Sequence, residues 1–81
     1  MEAKTITIER TIEPIFNTLC IFYKVKEKDL AYIVRVREKN GLFPLYNVIE
    51  YFEDRFSDLY NGNNESEVKE ILLKSLGMEP F

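Results

Sequence analysis

Two runs rich in apolar and β-branched residues, Thr18 to Val25 and Leu30 to Arg37, flank the charged tetrapeptide Lys26-Glu27-Lys28-Asp29. Read as an antiparallel hairpin with a four-residue loop, they set Val25 opposite Leu30, Tyr23 opposite Tyr32, Ile21 opposite Val34 and Leu19 opposite Val36. All eight members of that face are apolar. A slip of one residue would turn every one of them to the other side, so the pattern specifies register as well as pairing. The second face sets Lys24 against Ala31, Phe22 against Ile33 and Cys20 against Arg35, with Lys26 and Arg37 beyond them.

Ahead of the hairpin, residues 4–10 alternate, with Ile6 and Ile8 on one side and Thr5, Thr7 and Glu9 on the other, the period of a half-buried strand. Thr11 to Asn17 contains Pro14, which lacks a ladder donor, and reads as a connection. A competing pattern runs through the same region. Ile12, Ile15, Phe16, Leu19, Cys20 and Tyr23 recur at helical spacing behind Thr11, which would give a helix over 12–23 and the order βαβαα. That helix would leave Ile21 and Phe22 in solvent within a segment dense in strand formers, so the strand is preferred.

Past the hairpin, Asn40-Gly41 and Pro44 end the sheet. Leu45, Val48, Ile49, Phe52, Phe56, Leu59 and Tyr60 then follow a helical period, with Glu50, Glu53, Asp54 and Asp58 elsewhere around it, and predict a helix over 44–60. Asn61-Gly62-Asn63 supplies residues that end a helix, and Asn64 with Glu67 resembles a capping box opening another over 65–76. Its buried stripe is Val68, Ile71, Leu72 and Leu76; Gly77 stops it, and Met78 folds back towards Leu73. A short connection makes the two helices antiparallel neighbours. The expected fold is α+β: a three-stranded antiparallel sheet (4–10, 18–25, 30–37) followed by a helix pair packed on one sheet face, all in one domain spanning 1–81.

Composition narrows the chemistry. A hydrophobic share of 46% with six Phe and five Tyr calls for a packed core rather than disorder. One cysteine and no histidine exclude an intramolecular disulfide and structural zinc, and leave Cys20 as a small buried hydrophobe. The three glycines are taken up by turns and helix ends, and no phosphate-cradling pattern exists. Without histidine, a thiol or hydroxyl nucleophile would need Lys, Asp or Glu as base, and no spacing nominates one. The expectation is therefore a protein that is not an enzyme and uses no cofactor or metal. Glu50, Asp54 and Asp58 would form a row along the predicted helix, read as a solvated face rather than a Mg2+ site. No signal-like segment and no apolar run near twenty residues is present, so a soluble cytoplasmic protein is expected.

Charge is segregated. Residues 1–41 hold eight Lys or Arg against six Asp or Glu, a net of +2, while residues 42–81 hold three against eight, a net of −5. With helices on the apolar face of the hairpin, the opposite face carries Phe22, Ile33, Cys20 and Ala31 within a rim of Lys24, Lys26, Arg35 and Arg37. The first reading is a small regulatory interaction module that binds a protein, or a second copy of itself as a homodimer, through the apolar four. An alternative is nucleic-acid binding, with Lys24, Lys26, Arg35 and Arg37 on phosphates and Phe22 stacked on a base. A further alternative uses the acidic helix as a nucleic-acid mimic that inhibits a basic partner. Tyr46 and Tyr51, off the stripe of that helix, add interface-prone aromatics.

Overall fold

A computed structural model describes residues 7–16, 18–38 and 44–78. Within them the chain forms strands β1 (Ile8–Ile15), β2 (Thr18–Val25), β3 (Leu30–Arg37), β4 (Leu45–Phe52) and β5 (Arg55–Gly62), then helix α1 (Glu65–Leu76). The strands pair in chain order as one antiparallel meander. β2 and β3 adopt the register that the alternation predicts, pair for pair from Leu19 opposite Val36 to Val25 opposite Leu30.

The expected three-stranded sheet with a helix pair does not form. Residues 44–60, predicted as a helix, make β4 and most of β5; the competing helix over 12–23 is replaced by β1 and β2. β4 carries apolar side chains on both faces: Tyr46 and Val48 are buried on one, while Leu45, Ile49 and Tyr51 lie on the other. Such a strand shows no clean alternation, and its apolar positions mimic a helical period. Tyr46, Val48, Ile49, Tyr51 and Phe52 are strand formers, and β4 gives partners to the otherwise unpaired edge of β3. The link to β5 is Glu53-Asp54, both in the left-handed region at φ 46° and 65°, as a two-residue hairpin turn of the primed type requires. Glutamate is a poor marker for that turn, which hid it.

At the other edge, β1 runs straight through Pro14. The Lys26 N–H donates to the Thr7 carbonyl at 3.0 Å, which sets the phase of the ladder: odd-numbered β1 residues bond to β2, and Pro14 falls at an outward-facing position. Its missing N–H would have pointed away from the sheet, so an edge strand tolerates it. The expected strand over 4–10 is thus shifted to Ile8–Ile15; residues 4–6, the Asn40-Gly41 turn and the Pro80-Phe81 tail lie outside the described residues.

One sheet face is covered by α1. Val68 and Leu72 are wholly buried against Ile21, Tyr23, Tyr32, Val34, Tyr46 and Val48, with Ile71, Leu76 and Met78 at the margin. The helix begins where Asn64 accepts a hydrogen bond from the Ser66 N–H at 3.0 Å, and ends at Gly77, φ 73°, whose N–H donates to the Leu73 carbonyl at 2.9 Å. Met78 packs on the core, and Leu73 remains exposed. A helix about 10 Å wide spans about two gaps in a sheet of five strands spaced about 4.8 Å apart. It therefore covers β2 to β4 and leaves positions on the outer strands such as Ile12 of β1 (46% exposed) uncovered.

Candidate interaction face

The second sheet face has no described helix or strand over it. Register brings its side chains into rows across the strands. Phe22, Ile33 and Ile49 form the central row across β2, β3 and β4, all three half-buried. One step along the strands lies the row Lys24, Ala31, Tyr51 and Phe56, and on the other side the row Cys20, Arg35, Asn47 and Asn61. Phe22, Ile33, Cys20 and Ala31, singled out from the hairpin alone, are therefore contiguous on one face. Cys20 is buried at 6%, between Thr18 and Phe22 along its strand.

The basic residues divide. Lys24, Arg35 and Arg37 lie exposed on this face. Lys26 sits in the turn, paired with Glu9 at 3.6 Å. Arg35 and Arg37 enter no ion pair among the described residues, because each cation that does is a lysine. Carboxylates border the face at its edges: Glu9 and Glu13 on β1, and Asp58 on β5.

β4 and β5 contribute members that a helical reading of 44–60 conceals, Ile49, Asn47, Leu45 and Phe56, together with Asn61 beyond it and with Tyr51, the interface-prone aromatic noted above. A register shift at Val48/Ile49 controls this, since Val48 pairs with Tyr60 but Ile49 with Asp58, leaving Leu59 as the extra residue. Below the bulge Tyr60 points at the core; above it Phe56 and Asp58 turn to the open face. There Phe56 lies against Tyr51, ring centres 5.0 Å apart, and the Asn47 amide donates to Asp58 Oδ1 at 3.2 Å and to the Tyr60 carbonyl at 3.0 Å. The available signal was the density of strand formers in 46–52 immediately ahead of the acidic pair Glu53-Asp54.

Other expected features are dispersed. Tyr46, expected at the surface, is a core residue at 7% exposure. Burial, followed by the charge and hydrogen bond of Glu65, pushes its hydroxyl above the ordinary range. The acidic row Glu50, Asp54 and Asp58 does not exist, because these residues occupy the helix-covered face, a turn and the open face; Glu50 accepts from Tyr32, and Asp54 accepts from the Tyr51 hydroxyl at 2.8 Å. Tyr51 is raised, chiefly by that hydrogen bond. Among the described residues no group of His, Cys, Asp and Glu is placed to hold a metal ion, and no helix is long and apolar enough to cross a membrane.

Comparison with known proteins gives no match: no family model, no curated protein and no solved structure is significantly similar to this chain.

Proposed function

We propose that this chain is a small non-enzymatic interaction module, regulatory in role, which docks a protein on its open sheet face, with a second copy of itself as the first partner to test. The supporting observation is the unbroken apolar row of Phe22, Ile33 and Ile49 across the three central strands, extended by Tyr51 and Phe56 and covered by no described element. Five strands of eight residues project an area of about 20 by 26 Å, near 500 Å2. Stable interfaces bury about 800 Å2 per partner, so a partner must also reach the margins, where Leu45 and Ile15 are about half exposed. Sedimentation equilibrium over a wide concentration range is the test, with Ile33→Glu as the variant. Concentration-dependent dimerisation lost in that variant, with the helical and strand signals of its circular dichroism unchanged, supports the reading. A wild-type chain that stays monomeric and binds no protein overturns it.

A second reading rests on Lys24, Arg35 and Arg37 sharing a face with Phe22, Tyr51 and Phe56, an arrangement suited to phosphates and stacked bases of a single strand. Its expected mark is oligonucleotide binding that weakens with salt and disappears in an Arg35→Glu, Arg37→Glu double variant. Absence of binding at low salt ends it. Glu9, Glu13 and Asp58 on the same face, with a net charge of −3, place it second.

A further inference from the structure

One end of the open face is recessed into a cleft of about 200 Å3 whose lining includes Thr18, Arg35, Arg37, Leu45, Asn47 and Asn61. Two rows of the sheet build it. Thr18, Arg37 and Leu45 are register partners across β2, β3 and β4, while Arg35, Asn47 and Asn61 are partners across β3, β4 and β5. Arg35 and Arg37 are two residues apart on one strand, so both guanidinium groups leave the same face from backbone positions about 7 Å apart. Among the described residues no carboxylate lines the cleft and neither arginine is ion-paired; Glu38, next to Arg37 in the chain, exerts its charge on Tyr46 of the lining. Asp58 stands behind Asn47, engaged by its amide at 3.2 Å; Glu13 is two strands away from Arg35 in the same row.

From this arrangement we infer that the cleft is an oxyanion site for a phosphate group, either free or carried by a small phosphomonoester. Two adjacent guanidinium forks with no counter-charge among the described lining residues repel each other, and a doubly charged tetrahedral oxyanion between them relieves that repulsion while accepting several charge-assisted hydrogen bonds. The Thr18 hydroxyl and the Asn61 amide supply further donors. Asn47 has both amide hydrogens committed to Asp58 and Tyr60, so it offers only its carbonyl oxygen, as an acceptor for an arginine or a ligand hydroxyl. The volume exceeds the ~30 Å3 of a water molecule several-fold, enough for a phosphate and a small organic group against Leu45.

The site is independent of the docking reading, and its test keeps the two apart. Inorganic phosphate is titrated at near-neutral pH and constant ionic strength set with sodium chloride, followed by the backbone amide and arginine side-chain resonances of the full chain. Saturable shifts confined to Thr18, Arg35, Arg37, Asn47 and Asn61 are expected, with affinity falling about tenfold in Arg35→Gln or Arg37→Gln and less in Arg35→Lys. Ile33→Ser, which breaks the apolar row without placing a carboxylate beside Arg35, leaves the titration unchanged. Ribose 5-phosphate is the second probe: tighter binding than inorganic phosphate marks a phosphomonoester as ligand, and equal binding marks phosphate itself. Lack of saturation by about 50 mM overturns the inference. So do equal shifts at Lys24, Lys69 and Lys74, or a folded Arg35→Gln variant that titrates like the wild type.

Discussion

The Tyr32 hydroxyl on β3 donates a hydrogen bond to Glu50 Oε2 on β4 at 2.8 Å, joining two residues that the register sets directly opposite each other under the end of α1. Burial first, and the bond to Glu50 second, push the Tyr32 hydroxyl above its ordinary value of 10.0. Because the folded chain holds this proton more tightly than the unfolded one, the associated stability is fully present below pH 10.0 and is lost as pH rises through the higher folded value. Tyr32→Phe is expected to cost about 1–2 kcal/mol at neutral pH, by leaving a half-buried Glu50 without its donor, and to flatten the alkaline loss of stability. Urea denaturation at a series of pH values from neutral to strongly alkaline measures both. An unchanged alkaline slope would show that Tyr32 does not carry it.

At the acid end, the Glu27 carboxylate accepts the Thr7 N–H at 2.7 Å, tying the start of β1 to the β2–β3 turn. That backbone bond, more than any other cause, holds Glu27 below its ordinary 4.5. A lowered carboxylate contributes stability above its ordinary value and loses it as pH falls through the folded value. Glu27→Gln is expected to make stability less sensitive to acid, and amide exchange at Thr7 to quicken.

Phe16 occupies the left-handed region at φ 55° while its side chain is fully exposed at 101%. A large L-residue gains nothing there and costs about 1 kcal/mol relative to one that accepts this conformation. Phe16→Asn is expected to raise the thermal midpoint by a few degrees. A lowered midpoint would mean that the ring packs in solution.

Gly62 ends β5 beneath the Tyr60 ring. A Cβ at this position would lie 2.6 Å from the Tyr60 hydroxyl oxygen and 2.9 Å from the ring carbon bearing it. The same hydroxyl accepts the Asn64 N–H at 3.0 Å, just before α1 begins. Gly62→Ala must displace the ring and break that bond, at an expected cost of about 1–3 kcal/mol. Denaturant unfolding measures it, and a neutral result would show that Tyr60 swings aside freely.

Leu72 is wholly buried and, with Val68, forms the centre of the only helix–sheet contact among the described residues. Leu72→Ala is expected to cost about 2–5 kcal/mol, a large fraction of what a domain this small has. Loss of amide protection throughout α1 is the accompanying mark.

What the sequence determined by itself was local. The β2–β3 hairpin was legible because eight apolar side chains alternate in matched register about a charged loop, and α1 was legible because Asn64 and Gly77 bracket a helical stripe. On the same basis Phe22, Ile33, Cys20 and Ala31 could be placed together on the face away from the core. Only the tertiary structure decided residues 44–60. Apolar positions at 45, 48, 49, 52, 56, 59 and 60 suit a helix as well as a strand half-buried on both faces, and the strand preference of 46–52 alone does not decide between the two. The separation comes from the unpaired edge of β3, which β4 completes, and from a bulge at Val48/Ile49 that no residue type announces. Those two long-range facts place Asn47 and Asn61 beside Arg35 and Arg37. The arginines were visible in the chain, whereas the cleft around them is made by strand pairing.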